Sequence, residues 1–294
     1  MMAPINNLLL SIINLIYKVI PDYGFAIIAF TLLIKLCISP LDLKSRRSMK
    51  RMADLNPKME ALKKKYGNDQ EKYNQKMQEL YAKEKINPLS GCLPMLLSFP
   101  ILIAMFSAMR TVANEELVRQ FLTFQADPSI DVSLLAQPFL WIKNLWIMDS
   151  PFTSFLPTSS KTLNAIGAIQ GLVTADDITA LKAFIDSDIY QNVVLTHYNA
   201  TKVAGGVLNF IIVQLQLYHQ PNGYFLLPLM SGASQFLMTV VNPAAAGAQE
   251  GQQGGMNAFM KWFFPLFSVY ICATYNAAFS LYWVAANLAS MAQT

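Results

Sequence analysis

Charged residues are scarce in this chain. Lysine, arginine, aspartate and glutamate together make up 14% of its 294 residues, whereas soluble domains usually contain about 25%. Hydrophobic residues make up 54%. This composition excludes an ordinary soluble domain and predicts a protein that crosses a membrane several times.

Cysteine and histidine are also rare, and the motifs of common catalytic and nucleotide-binding sites are missing. Cys37, Cys92 and Cys272 lie in or beside apolar runs without paired spacing, so we expect neither a disulfide framework nor a metal site. The two histidines lie far apart, and the sequence contains no GxGxxG, Walker, HExxH or GxSxG motif. These absences predict a protein that is not an enzyme and that has no cofactor.

The apolar runs that are present predict an all-α polytopic membrane protein with five transmembrane helices. Each run approaches the length needed to cross a hydrocarbon layer of about 30 Å. The predicted spans are TM1 (23–43), TM2 (90–110), TM3 (223–241), TM4 (256–274) and TM5 (277–293). Pro40 is expected to end TM1, because proline disrupts the helical hydrogen bonding.

Residues 1–22 are apolar but carry a polar stripe at helical spacing. The stripe consists of Asn7, Ser11, Asn14 and Lys18. This pattern predicts an amphipathic helix that lies in the membrane interface. A signal peptide is the alternative, although a basic start and a small-residue cleavage site are lacking.

Residues 44–86 form a basic segment that predicts a cytosolic helical hairpin. They hold 13 of the 22 lysine and arginine residues, and short basic loops stay in the cytosol, so the N-terminus is expected outside and the C-terminus in the cytosol. Two amphipathic patterns flank a turn at Tyr66–Asp69, and Pro57 should kink or restart the first helix. The hairpin is either a solvated loop that fixes topology or a docking or membrane-surface element.

The segment 111–222 is predicted to be extracytoplasmic, with a small insertion at 154–220. Phe139–Ile142 and Trp146–Met148 suit an aromatic belt at the membrane interface. A surface helix is predicted at 174–187, and Val213–Leu217 alternates as a strand does. Residues 242–255 predict a flexible cytosolic linker.

Lys35 lies inside TM1, where a lysine costs about 2.5 kcal/mol or more. Thr31, Lys35, Ser39 and Asp42 follow helical spacing and form one polar stripe, which should face protein or water. A lysine that snorkels to the nearer surface is the alternative. Helical side chains lean toward the helix N-terminus, which is expected outside, so we favour a hydrated pocket within the membrane.

Uncharged polar residues recur on the other predicted spans. Ser98 lies in TM2, Gln235 in TM3 and Asn287 in TM5. Each alone could serve helix packing, the usual role of such groups. Together with Lys35 they indicate a shared wet cavity of positive charge, which would lower the cost of bringing a polar segment part of the way into the bilayer. No buried carboxylate relay of the kind expected in a proton-coupled pump is visible.

Several stretches of the chain carry a family resemblance. They are Tyr23–Ile28 with Lys35, Pro40 and Leu41; Asn87–Pro94 with Pro100–Ile103; Leu227 and Pro228; and Ser280–Val284 with Asn287. On these stretches the chain resembles the YidC membrane-protein insertases, in the five-span form of Gram-positive bacteria. The segment 154–220 looks like an insertion relative to simpler members of that family.

The resemblance implies a groove that is open to the cytosol and to lipid and closed on the outer side. The essential groove cation of the family, usually arginine, falls at Lys35, and lysine lacks the planar donor fork of arginine. Thr31 and Trp283 match polar and aromatic groove positions. The glutamine of the family's third span aligns near Met238, and Gln235, about one turn away, is the candidate substitute.

The resemblance also implies the partners and the location of the protein. Nascent membrane proteins would be its substrates, with the Sec translocon, the ribosome and the lipid bilayer as partners and no direct nucleic-acid substrate. Its place would be the bacterial cell membrane. Two other hypotheses are a small-anion transporter or channel that uses Lys35 as its selectivity charge, and a structural scaffold for other membrane subunits.

Overall fold

The computed structural model describes residues 3–84, 89–127, 136–155, 202–210, 213–241 and 254–293, together with isolated positions between 176 and 192. These residues form eight α-helices and one two-stranded sheet. The helices are α1 (Ala3–Val19), α2 (Tyr23–Ala53), α3 (Asn56–Tyr66), α4 (Gln70–Lys83), α5 (Leu89–Ala126), α6 (Leu226–Val241), α7 (Gly254–Thr274) and α8 (Ala277–Ala292). The strands are β1 (Lys202–Phe210) and β2 (Val213–Tyr218), which pair antiparallel.

Every predicted span contains a helix, and the placement of these helices across a membrane stays a prediction. Within the described residues, Tyr23–Lys44 is the one helical segment that is both long and apolar enough to cross a bilayer. Asn7–Val19, Leu226–Val241 and Ala277–Ala292 are shorter apolar helices. The predicted linker 242–255 and surface helix 174–187 lie almost wholly outside the described residues.

Two helices extend past their predicted ends. Pro40 does not end the helix, because α2 continues through it to Ala53, although the segment apolar enough to cross a bilayer ends at Lys44, one residue after the predicted end of TM1. Residues 41–53 are rich in leucine, lysine, arginine and methionine, which favour helix and let it continue beyond one lost hydrogen bond. Similarly, α5 continues past residue 110 to Ala126, because hydrophobicity falls there but helix propensity does not.

The prediction of an all-α fold is wrong at residues 202–218. β2 includes the predicted strand Val213–Leu217, and β1 is an additional strand opposite it. Leu208 lies opposite Leu215 in the register. Such apolar cross-strand pairs stabilise a hairpin, and they form only when the two segments meet.

Helices α3 and α4 form the predicted antiparallel hairpin. α3 carries Pro57 in its first turn. An N–H group in the first turn has no acceptor within the helix, so a proline there costs no helical hydrogen bond. The Asp69 carboxylate caps α4 by accepting a hydrogen bond from the Lys72 backbone N–H at 3.1 Å, which holds the pKa of Asp69 below its usual range. An ion pair between Lys58 and Glu84 joins the start of α3 to the end of α4. The cytosolic placement of this hairpin stays a prediction.

The chain divides into two compact units. The first unit consists of Met1–Phe30, Ala104–Ser231 and Val269–Val284. Within it, Ile142, Trp146 and Ile147 are buried in the protein. These three side chains therefore do not face lipid headgroups as members of an interfacial aromatic belt would, because they pack in a protein core, whereas Leu140 in the same stretch is 72% exposed.

A buried polar cluster ties the loop 136–155 of the first unit to the residues before α6. The Asn222 side-chain amide donates to the carbonyls of Asn144, Ile147 and Met148 at 2.9–3.1 Å and accepts from the Asn144 backbone N–H at 2.7 Å. The Asp149 carboxylate caps α6 by accepting from the backbone N–H groups of Phe225 and Leu227 at 3.0 and 2.7 Å. These contacts satisfy groups that would be costly to bury unpaired.

The second unit consists of Thr31–Ile103, Gly232–Ser268 and Ala285–Thr294. Its part of α2 has an inverted burial pattern. Thr31 is fully buried and Lys35 is half-buried, whereas Leu32 and Leu36 are 52% and 70% exposed. Burial of a leucine side chain stabilises a protein in water by about 1.5–3 kcal/mol. Leucines left exposed beside a buried threonine and a half-buried lysine therefore indicate that this face of α2 lies in an apolar environment.

Candidate functional site

The Lys35 side chain occupies one face of α2 within the second unit. Its ammonium donates a hydrogen bond to the Ser290 hydroxyl on α8 at 2.8 Å, across 255 residues of sequence. Ser290 is buried and donates its own proton to the Ala286 carbonyl at 2.8 Å, which leaves its lone pairs for the ammonium. A hydroxyl is a neutral acceptor, so this contact orients the cation and does not cancel its charge.

A second hydrogen bond in this unit joins α8 to α6. The Asn287 side-chain amide donates to the Ser234 hydroxyl at 3.1 Å, and both residues are buried. Asn287 precedes Ser290 by three positions, so both lie on one face of α8. That face therefore bonds to α2 through Ser290 and to α6 through Asn287.

Of the six residues predicted from the sequence, five belong to the second unit and Trp283 belongs to the first. Asn287 lies on one face of α8, and Lys35 bonds to Ser290 on the same face. Thr31 is fully buried one turn before Lys35, and Gln235 is half-buried beside Ser234. Ser98 lies within α5, and its side chain is outside the described part of the chain.

Trp283 belongs to the first unit, where it lies in an aromatic cluster. Its ring centroid is 5.5 Å from that of Phe279 and 6.5 Å from that of Phe106. The indole N–H is buried and has no hydrogen-bond partner among the described residues. A buried donor of this kind is suited to a water molecule.

Sequence reasoning missed two residues of the site. One is Ser290, three positions after Asn287 on α8, which accepts a hydrogen bond from the Lys35 ammonium. The other is Ser234, the neighbour of Gln235, which accepts a hydrogen bond from the Asn287 side-chain amide. Helical spacing was the signal available for both, because Ser290 shares a face with Asn287, and Ser234 shares one with Ser231.

The family of the chain follows from a comparison with known proteins. The family model of the 60Kd inner membrane protein matches residues 15–294, which is almost the whole chain. The chain belongs to this family. It is therefore a bacterial membrane protein with a mostly helical fold.

Curated relatives include proteins named "Membrane protein insertase YidC". The protein of Anaeromyxobacter dehalogenans (strain 2CP-C) is 38% identical over 144 residues, which cover 49% of this chain and 23% of the relative. That of Leptospira interrogans (serovar Lai, strain 56601) is 37% identical over 153 residues, covering 52% and 21%. That of Pseudomonas paraeruginosa (strain DSM 24068 / PA7) is 50% identical over 91 residues, covering 31% and 16%. The chain thus spans less than a quarter of the length of each of these relatives.

Proposed function

We propose that the protein is a membrane-protein insertase and chaperone that receives nascent hydrophobic segments in a hydrated, positively charged intramembrane groove. Membership of the 60Kd inner membrane protein family and the similarity to insertases named YidC support this proposal. Neither finding supports the alternative of a small-anion transporter or channel. No chemical step is needed, because partitioning of the apolar segment of the substrate into lipid supplies the driving force.

One observation carries the proposal for the site itself. On α2 the polar stripe that contains Thr31 and Lys35 is more buried than the leucine face, and the Lys35 ammonium is held by a neutral hydroxyl. A cation in such surroundings attracts acidic segments. It also reduces the desolvation cost of polar groups that must enter the bilayer with an apolar helix.

In the proposed mechanism Lys35 attracts the outer segment of a substrate, and Thr31, Ser98, Gln235 and Asn287 keep the groove hydrated. Trp283 lines the groove and offers its indole N–H to the substrate or to water. The groove opens to the cytosol and to lipid. Five spans place the N-terminus outside and the C-terminus in the cytosol.

The proposed substrates are single-span or small double-span membrane proteins with short, often acidic, outer segments. The proposed partners are the ribosome and the Sec translocon, and the protein has no direct nucleic-acid substrate. The resemblance to the insertase family supports these assignments.

Substitution of Lys35 tests the mechanism in cells that lack their own insertase. We expect Lys35→Arg to insert a single-span substrate with an acidic outer segment normally, Lys35→Ala to insert it poorly, and Lys35→Glu to insert it least. Lys18→Glu on α1, an exposed lysine, is the control with the same charge change. Protease protection of the outer segment measures insertion.

A second substrate, with lysines in place of the acids of its outer segment, sharpens the test. Charge attraction predicts that Lys35→Glu impairs this substrate less than the acidic one. Full insertion of the acidic substrate by Lys35→Glu would count against attraction by Lys35. A leak of small anions from liposomes that contain the purified protein would favour the transporter alternative.

A further inference from the structure

The hairpin of α3 and α4 carries a groove along one flank, with a volume of about 380 Å³. Both helices contribute to it with the same spacing of i, i+3, i+4 and i+7. The contributions are Lys58, Ala61, Leu62 and Lys65 from α3, and Lys76, Glu79, Leu80 and Lys83 from α4. Each helix therefore places a lysine at both ends of the groove and a leucine between them.

The antiparallel pairing arranges these side chains as a rectangle. The ion pair between Lys58 and Glu84 places the start of α3 beside the end of α4, so Lys58 lies at the same end of the groove as Lys83. Lys65 and Lys76 lie at the other end. Along each helix the two lysines are separated by about 10 Å, the rise of seven residues. Four ammonium groups thus surround a floor formed by the two leucines.

The charge of this groove is only partly neutralised. Lys76 pairs with Glu79 at 2.7 Å, and Lys58 pairs with Glu84. For Lys65 and Lys83, no carboxylate of the described residues lies within ion-pairing distance, 4.0 Å. These two lysines lie at opposite corners of the rectangle, so the positive charge extends along its whole length.

The two helices bury little of their apolar surface against each other. Met59 is the buried side chain within α3, and α4 has none. Leu62 and Leu80, which form the floor of the groove, are only half-buried. A third helix could lie in this groove between the lysines and bury both leucines, as amphipathic helices do in apolar grooves.

We propose that this groove is a docking site for an acidic amphipathic helix of a partner protein. Two helical turns span about the distance between the lysines of each helix, so acidic residues seven positions apart on the partner would meet the lysines at both ends. Apolar residues between those acids would cover Leu62 and Leu80. An anionic membrane surface is a weaker fit, because a flat layer of headgroups would meet Lys63 and Lys64, exposed on the other side of α3, as readily as it meets the groove.

The test measures binding of a synthetic peptide to the full chain in nanodiscs of zwitterionic lipid. The peptide has about 20 residues, enough for partial helicity in water, with glutamate pairs seven positions apart and leucines between them. Fluorescence anisotropy of a labelled peptide gives its Kd. We expect the double variant Lys65→Glu/Lys83→Glu to weaken binding by about tenfold or more, from two lost ion pairs and two new repulsions.

Matched variants separate the groove from general charge. Lys63→Glu/Lys64→Glu makes the same change in net charge outside the groove and should leave the Kd within about twofold. Leu62→Ser should weaken binding of the amphipathic peptide. A scrambled peptide of the same composition should bind weakly to every variant. The double variant Lys65→Gln/Lys83→Gln removes the positive charges without adding repulsion, so it should lose an intermediate amount of binding affinity. It replaces the charge-reversed variant if that variant does not fold.

Three results would overturn the proposal. One is equal weakening by the groove pair and by the control pair, which would indicate attraction by net charge alone. Another is equal affinity for the designed and the scrambled peptide. The third is binding of phosphatidylglycerol vesicles that depends on Lys65 and Lys83 while the peptide does not bind, which would make the groove a lipid site. None of these measurements depends on insertion activity, so they are independent of the proposed function.

Discussion

The buried polar groups of the two units have different kinds of hydrogen-bond partner. In the first unit, Asn222 and Asp149 bond mainly to backbone groups and close one connected cluster. In the second unit, Lys35 bonds to Ser290 and Asn287 bonds to Ser234, and each of these bonds joins side chains on two different helices. Backbone groups have one fixed direction, whereas serine and lysine side chains can rotate to other partners. The first arrangement therefore suits a rigid part of the protein, and the second suits a part whose polar groups can exchange one partner for another.

This difference has a consequence for function. In the proposed function, a substrate segment that enters the second unit would replace the hydrogen bond from Lys35 to the Ser290 hydroxyl, whose loss costs about 1 kcal/mol. No entering group could replace the contacts of Asn222 without disordering the loop that they hold. Substitutions in the first unit should therefore lower stability, and those in the second should change activity more than stability.

The largest loss of stability is expected from Asn222→Ala in the first unit. This change leaves the Met148 carbonyl and the Asn144 N–H without this partner, whereas the carbonyls of Asn144 and Ile147 keep the hydrogen bonds that they accept from backbone N–H groups. Each unpaired buried group costs about 1–3 kcal/mol. We expect a destabilisation of about 3 kcal/mol or more, measured by thermal unfolding in detergent. Gln220→Ala, at a nearby exposed position, is the control. An unchanged Tm in Asn222→Ala would contradict the rigid role of the cluster.

A smaller loss is expected from Tyr23→Phe, also in the first unit. The Tyr23 hydroxyl donates to the buried Glu116 carboxylate at 2.7 Å, and hydrogen bonds to charged groups contribute about 1.5–3 kcal/mol. Tyr17, whose ring stacks on Tyr23 at 3.9 Å, provides the control Tyr17→Phe. Removal of that hydroxyl should change the unfolding free energy by much less. Equal changes in the unfolding free energy for the two substitutions would show that the hydrogen bond to Glu116 does not stabilise the protein more than the Tyr17 hydroxyl does.

In the second unit, a double-mutant cycle of Asn287→Ala and Ser234→Ala should give a small coupling energy. Such interhelical bonds in membrane proteins contribute about 0.6 kcal/mol on average. We expect a similar value here from unfolding in detergent, together with a clear loss of insertion of a single-span substrate. A coupling of about 2 kcal/mol or more, with insertion intact, would make this unit as rigid as the first and would remove the contrast between them.

The smallest effect is expected in the α3–α4 hairpin. The hydrogen bond from Lys58 holds the pKa of Glu84 below its usual range. A carboxylate whose folded-state pKa is lowered stabilises the fold above its unfolded-state pKa, and this stabilisation is lost as the pH falls through the folded-state value. The Tm difference between the native protein and Glu84→Gln should therefore be present at neutral pH and vanish in acid. A difference that grows in acid would contradict the assignment.

Local sequence patterns predicted the hairpin well. Pro57 and the turn at Tyr66–Asp69 are features that act within a few residues. α3 begins beside Pro57, and the turn separates α3 from α4. The polar stripe of α2 was likewise readable, since helical spacing sets which residues share a face. The ends of α2 and α5 were not, because hydrophobicity marks a membrane span and not the length of a helix.

The amino-acid sequence by itself determined which apolar segments form helices, the basic hairpin and the presence of one lysine on the polar face of α2. Tertiary structure alone decided that Ser290 holds Lys35 and that Ser234, rather than Gln235, bonds to Asn287. It also decided that the aromatic stretch before Asp149 lies in a protein core. Periodicity specifies the face of a helix on which a side chain lies, whereas a hydrogen-bond partner dozens to hundreds of residues away depends on how the helices pack.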